Sequence, residues 1–570
     1  MLASFTDVID AHAHGFGPTQ ASYFRFDGPL DEGALPDEAA SLAPGAEVFL
    51  VDVTPGGAHR GERSPVRVRF SAAKHEYIGP DWLAVQPVPG FVPREGATYA
   101  AVVLDGVGAR APAALRRVLD GIPDGDVETR AVAVYAPLAA WLDEQQLRGR
   151  VAAATVYTTF AGSAIMDELR TAVYATPAPS LSALAWVRDG GAYDLYTGRY
   201  DGPNFQEGDP PYDKQGGSIH RGADGKPQPV RTESLRVALT IPKGPMPAAG
   251  WPVVLYAHGT GGDYLSFVAD GTAGRLALVA DAAGGELARL AVVSIDQVLH
   301  GPRAPAGTDV ELAFFNLNNF LAARDNPKQG ALDDFQLVRL IHAVDVGAAP
   351  TTGLPIRFDA SKLYFFGHSQ GSLTGALFVG AEPSVKAAIF SGAGAGLVSA
   401  LLTKTKPIDI AAIVQAFFRD PVDDFHPFLN LLQSFYDESD PASHVRRFFV
   451  EPPGGAVPKS VFVSIGLRDS YAPVPTIETF ALAAGVQAVA PMLLPIDHLA
   501  LRGAGPEAAF AAAPQAGNAP GGATGVVCEY DPGPNDDGHF VVFDVASARA
   551  QTARFLATHA QGGTAVLSAP

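Results

Sequence analysis

One serine stands between two glycines where an apolar run ends. In SKLYFFGHSQGSLTGALFVG, residues 361–380, Gly367, Ser369 and Gly371 keep the spacing G-x-S-x-G, and small residues follow. A tight turn from strand to helix needs glycine on either side, because side chains there would strike the strand and the helix. It holds the serine in a strained conformation with its hydroxyl pointing out. An ordinary strand–helix turn is the plain alternative. A serine hydroxyl is a weak nucleophile at neutral pH, so the chemistry requires a base, and the base an orienting acid.

The chain has fourteen histidines. His539, in NDDGHFVVFD, follows the last strand-like run and precedes the last helix, where the base belongs if the order is serine, acid, histidine. His498, in LPIDHLALRG, is the competing candidate, with a surface or packing role as its alternative. His368 adjoins the serine but projects differently and is read as shaping the turn. Asp469, in GLRDSYAPVP, follows the apolar run SVFVSIG and lies between Ser369 and His539 in the chain. It is the candidate acid; a turn or helix-cap aspartate is the other reading. Asp536 and Asp537 are further candidates that crowd the histidine's own loop. Attack on a carbonyl leaves an oxyanion that backbone N–H groups must meet. The N–H of Gln370 is one expected donor. Thr260, in the loop His258-Gly259-Thr260-Gly261-Gly262, is the other, since glycines there let backbone come close. His258 is expected to border the substrate pocket.

These residues need a scaffold. From about residue 232, short apolar runs alternate with helix-like segments: SLRVALTIP, PVVLYAHG, AVVSID, KLYFFGHS, KAAIFSG, SVFVSIG and GVVCEY. Such alternation predicts a mostly parallel sheet covered by helices on both faces, with its chemistry at the carboxyl ends of the strands. Between KAAIFSG and SVFVSIG, residues 394–459 hold two amphipathic, aromatic-rich stretches, IDIAAIVQAFFRD and FHPFLNLLQSFYD, which fit a helical cap over the site. Phe417, Phe418, Phe425 and Phe428 could line a pocket there, although aromatic stripes at helical spacing also build cores.

Residues 1–160 read differently. EVFLVDV, PVRVRFSA, WLAVQPVP and TYAAVVLDG are short strands between Gly/Pro turns, which suggests a sandwich. A helix, ETRAVAVYAPLAAWLDEQQLRG, and a closing strand follow. Residues 161–231, rich in Gly, Pro, Asp and Tyr, read as a connector packed on the surface. Near the start, VIDAHAHGF places His12 and His14 one residue apart. On a strand they would point the same way and could share a metal, but a site needs more ligands, so no metal is assigned. His300, after AVVSID, borders the expected site or simply packs.

Composition narrows the function classes. The 570 residues carry 41 Lys and Arg against 60 Asp and Glu, a net charge of -19 without a long basic run. That argues against nucleic acid and against docking on an anionic membrane. No apolar run approaches the ~20 residues of a membrane span. Cys528 is the only cysteine, which excludes an intrachain disulfide and a cysteine-based zinc site. The N-terminus lacks an export signal; a secreted or cell-envelope location with the signal absent is expected, otherwise a cytoplasmic one. Oligomeric state is left open.

The stretches HGTGG, GHSQG, GLRDSYAP and DGHF stand in the order and spacing of α/β-hydrolase esterases and lipases, and this resemblance covers roughly residues 232–560. Residues 1–160, with RFDGPLDEGALP and VPREGATYAAVVL, resemble the Ig-like N-terminal region of large bacterial lipases of the virulence-factor type. The resemblance implies an α/β-hydrolase domain over 232–565 with a cap insertion at 394–459, behind an Ig-like domain over 1–160. It implies a serine carboxylic-ester hydrolase with Ser369 as nucleophile, Asp469 as acid and His539 as base, without a cofactor. The substrate would be a small-molecule, lipid or polymeric ester. Polyester depolymerase and thioesterase chemistry stay open on the same residues, as does a non-catalytic binding role. Residues 394–459 depart from the family pattern.

Overall fold

A computed structural model describes residues 2–502 and 510–569. The predicted catalytic range 232–565 therefore includes a stretch, 503–509, outside the described residues.

A large mixed sheet organises the molecule. Its order runs Phe510–Ala511, Gln487–Val489, Gly525–Tyr530, Ser460–Gly466, Val385–Ser391, Ile356–His368, Trp251–Ala257, Ala291–Ile295, Arg231–Pro242, Tyr193–Asn204 and Ser182–Asp189. Neighbours are parallel from Ala291–Ile295 to the Phe510 edge, and antiparallel from Arg231–Pro242 outwards. The central strands are apolar throughout because both faces are buried. In Trp251–Ala257, Val253 and Leu255 pack on one face with Leu332, Phe335 and Phe378 of helices Phe320–Ala343 and Gln370–Ala381. Val254 and Tyr256 pack on the other with Leu276 of helix Thr272–Ala277 and Phe555 of helix Ala546–Gly562. This period of two, buried on both sides, is what the alternating apolar runs required.

The N-terminal strands form two small antiparallel sheets. One pairs Ser22–Arg25, Trp82–Pro87 and Val66–Ser71; the other pairs Arg63–Ser64, Val48–Asp52, Thr98–Leu104 and Val151–Thr158. Val48 and Leu50 face the first sheet through Leu83 and Val85. Phe49 and Val51 face Leu119, Leu138 and Leu142 of helices Ala113–Asp120 and Asp126–Glu144. The four-stranded sheet is thus covered by strands on one side and helices on the other.

Two sequence expectations change. The stretch 161–231, expected to be a surface connector, holds helix Gly162–Tyr174, whose Met166, Leu169 and Val173 enter the main core, and two strands that extend the large sheet. Its Gly and Pro content dominates only the loop between Asn204 and Arg231. VIDAHAHG is not a strand: Leu2–His12 is a helix. Its Phe5 is 1% exposed and packs 4.7 Å from Phe320 and 5.3 Å from Phe428.

Candidate active site

Ser369 stands at the carboxyl end of strand Ile356–His368, directly before helix Gln370–Ala381. Its φ of 54° and ψ of -120° lie where a non-glycine residue pays a strain cost that the surroundings must offset. The offset is visible. Ser369 N–H donates to Ser391 O at 2.8 Å, and its carbonyl accepts from Ser372 and Leu373 N–H at 2.9 and 3.1 Å. A Cβ on Gly371 would lie 2.1 Å from the Ala257 carbonyl oxygen, so only glycine lets the helix start this close to the neighbouring strand.

Asp469 and His539 arrive from the ends of adjacent strands. His539 Nδ1–H points at both Asp469 carboxylate oxygens, at 2.9 and 3.0 Å, and the two side chains are 1% and 3% exposed. Asp469 Oδ1 also accepts from the N–H groups of Tyr471 and Ala472. The loops meet because Gly466 and Gly538 touch backbone to backbone: a Cβ on Gly466 would sit 1.8 Å from Gly538 O. The imidazole stacks on Tyr471, with ring centres 4.8 Å apart. Asp537, one of the alternative acids, has another task. It caps the turn that carries His539, accepting His539 N–H, and also accepts from Ser470 N–H and Oγ–H and from Lys406. Burial opposes its ionisation, but these donors outweigh it and draw its pKa down to about 2.

The loop 258–262 runs beside Ser369: a Cβ on Gly259 would lie 3.0 Å from Ser369 Cβ. Thr260 Oγ–H donates to Gln370 Oε1 at 2.9 Å. The Gln370 N–H belongs to the first turn of its helix, where backbone donors lack intrahelical acceptors. Two buried imidazoles fix the loop. His300 Nε2 accepts from Gly261 N–H at 2.9 Å while its Nδ1–H donates to Val298 O. His258 Nε2 accepts from Gln297 N–H at 3.0 Å while its Nδ1–H donates to Gly259 O. Both are neutral in these roles. Burial first, and then the His300 ring, push His258 down to about 3; burial likewise lowers His300. His368 is held well below the usual imidazole range by burial, then by His539 and His258.

Ser369, Gln370, Thr260 and His539 line one cavity of about 820 Å³. Its walls are mainly apolar and include Phe315, Phe320, Leu373, Leu397, Leu401 and Tyr436. Helices Leu397–Thr403, Ile410–Phe417 and Pro427–Tyr436 of residues 394–459 form one side.

Several expected pocket residues lie elsewhere. His258 is 1% exposed and is spent on the loop contacts above. Phe417 is 57% exposed on the outer face of the cap. Phe418 packs on His426 and Phe428 inside the cap, and Phe425 lies under Arg67 and Arg69 of the N-terminal strands. Helical spacing identified an apolar stripe but not the surface it meets. The residues missed, Phe315 and Phe320, follow the carboxyl end of strand Ala291–Ile295, and that position was the available signal. His498 is half-buried and does not line this cavity. His14 Nδ1 meets Glu438 at 2.7 Å, and the His12 carbonyl accepts from Arg324. No group of three or more His, Cys, Asp or Glu side chains suited to a metal ion occurs among the described residues, and no described helix is long and apolar enough to cross a membrane.

No family model and no curated protein matches the chain. Among solved structures, an acetyl xylan esterase from Paenibacillus sp. is similar at 14% identity and a TM-score of 0.38, covering 65% of this chain and 88% of that one. A glucuronoyl esterase from Teredinibacter turnerae is similar at 14% identity and a TM-score of 0.33, covering 65% and 78%. A peroxisomal α/β-hydrolase from Saccharomyces cerevisiae is similar at 12% identity and a TM-score of 0.33, covering 65% and 88%.

Proposed function

We propose that the protein is a serine carboxylic-ester hydrolase of α/β-hydrolase architecture, with Ser369, His539 and Asp469 as its triad. The observation that carries this reading is the buried Asp469–His539 pair opening on the same cavity as a serine held at φ 54°. Asp469 fixes the tautomer in which Nδ1 is protonated, leaving Nε2 to take the serine proton. Ser369 Oγ attacks the ester carbonyl, the Gln370 and Thr260 N–H groups receive the oxyanion, and the alkoxide leaves with the proton from His539. Water, deprotonated by His539, then releases the acid from Ser369. The apolar walls favour an ester with an aliphatic or aryl group over a carbohydrate, whose hydroxyls would lose their water there without replacement. We read residues 1–160 as an Ig-like module from their two antiparallel sheets of three and four strands.

Hydrolysis of p-nitrophenyl esters of graded acyl length, wild type beside Ser369→Ala, tests the reading. The expected loss in kcat for the alanine variant is about 10⁶-fold with retained fold, the scale seen when a triad serine is removed. Equal rates in the two proteins would dismiss Ser369 as nucleophile.

A further inference from the structure

One short piece of chain crosses the mouth of the cavity and is tied at both ends. Helix Leu397–Thr403 stops at Lys404. The Lys404 ammonium is bonded to the Glu311 carboxylate and lies 4.7 Å above the Phe315 ring, and both charged side chains are only 15% exposed. Two residues on, Lys406 Nζ is 3.0 Å from Asp537 Oδ2, and the N–H groups of Thr405 and Lys406 donate to Ser470 O at 3.2 and 3.0 Å. Lys404, Glu311 and Phe315 line the cavity, as do Leu312 and Phe540, whose exposures of 51% and 38% mark where it meets solvent. Residues 404–406 therefore bridge helix Val310–Phe315 on one side of the mouth and, through Ser470 and Asp537, the loops of Asp469 and His539 on the other.

The two ends differ in strength. Lys406 is 53% exposed, so its pair with Asp537 is well screened. The Lys404–Glu311 pair is mostly withdrawn from water and seated on an aromatic face, where each charge depends on the other. We propose that the Glu311–Lys404 ion pair is the specificity-determining closure of the cavity: while it is formed, the cap helix is pinned to helix Val310–Phe315, and esters with a large acyl group enter only when it separates. The inference rests on the ester-hydrolase reading of the site.

The experiment compares kcat/KM for p-nitrophenyl decanoate and p-nitrophenyl acetate in wild type, Lys404→Met, Glu311→Gln and the exchanged pair Glu311→Lys/Lys404→Glu. The decanoate-to-acetate ratio is expected to rise about five-fold in each single variant, the size of effect a partly buried pair can carry. It is expected to return towards the wild-type value in the exchanged pair. A ratio unchanged in both single variants overturns the proposal. So does a ratio that stays raised in the exchanged pair, because local packing would then be responsible. Entry of N-phenyl-1-naphthylamine, an uncharged apolar fluorophore, is followed by stopped flow in the same proteins. If wild type hydrolyses no ester, the function reading fails, yet dye association must still quicken in Lys404→Met; an unchanged association rate overturns the closure by itself.

Discussion

The two walls of the cavity are built by different rules. On the sheet side, each functional group follows the carboxyl end of a strand, Ser369 by one residue, Asp469 by three and His539 by nine, and is held by its own loop and the adjoining ones. Ser369 is fixed by the turn it occupies and by Ser391 O, Asp469 by the N–H groups of Tyr471 and Ala472, and His539 by the Asp537 cap and the Asp469 carboxylate. On the cap side, helix Pro427–Tyr436 is held by residues four hundred positions away. Gly17 N–H donates to Ser434 Oγ, Thr19 donates to Asp437, Ala21 N–H donates to Asn430, and His14 meets Glu438. Arg67 pairs with Asp424, and Phe5 inserts beside Phe428 and Phe435. The N-terminal region therefore braces the helix that supplies Leu432 and Tyr436 to the cavity wall, while the lining residues themselves come from Tyr256 onward. Groups placed by adjoining loops at the strand ends tolerate changes elsewhere, whereas a wall held from the far end of the chain can be retuned from outside the site.

Breaking the sheet side should cost the most. Asp469→Asn removes the acceptor that sets the His539 tautomer, and kcat is expected to fall about 10⁴-fold. The substrate concentration at half-maximal rate should change far less. A loss below ten-fold would mean that His539 is oriented by something other than Asp469.

The cap side should respond in stability first. Phe5→Ala empties a fully buried site among three phenylalanines, and about 3 kcal/mol should be lost. Hydrogen exchange would locate the loss: protection should drop in Pro427–Tyr436 and hold in Ile356–His368. An equal drop in both would show that the two walls unfold as one unit and would dissolve the contrast.

The smallest effect, counted per pH unit, is an acid slope that both sides share: burial pushes His426 and His444 of the cap side down to about 4, and on the sheet side the same cause acts on His258. His258 is buried neutral with its folded pKa pushed down to about 3, below the ordinary value of 6.5. The unfolded chain then binds the extra proton as pH falls below 6.5, so the stability this group confers is present above that value and declines from there towards pH 3. A single such histidine contributes a slope of up to about 1.4 kcal/mol per pH unit. His258→Gln should flatten the denaturation midpoint's fall between pH 6 and 4; an unchanged slope would place the acid sensitivity elsewhere.

The legible and illegible parts of the chain divide along the same line. The serine turn, the histidine loop and the aspartate loop could be read because each depends on local constraints: glycines where backbone must touch, apolar runs of strand length, and an order fixed by the sheet. Asp537 shows the limit of that reading. Its type and position made it a candidate acid, and only the assembled loops give it Ser470, Lys406 and the His539 N–H as partners. His258 shows it again, since its expected place at the pocket gave way to a hydrogen bond with Gln297, which follows the neighbouring strand Ala291–Ile295.

The sequence by itself determined the alternation of buried strands and helices, the turn at Ser369, and the loops that carry Asp469 and His539 beyond the ends of strands. Those features follow from steric limits and periodicities acting over a few residues. The tertiary structure decided which aromatics face the cavity, that the His12 carbonyl meets Arg324 and the His14 ring meets Glu438, that 161–231 extends the sheet, and that Lys404 meets Glu311. Each of these is a choice of partner across tens to hundreds of residues. An apolar stripe or a lone charge states only that a partner is needed, and packing in three dimensions selects it.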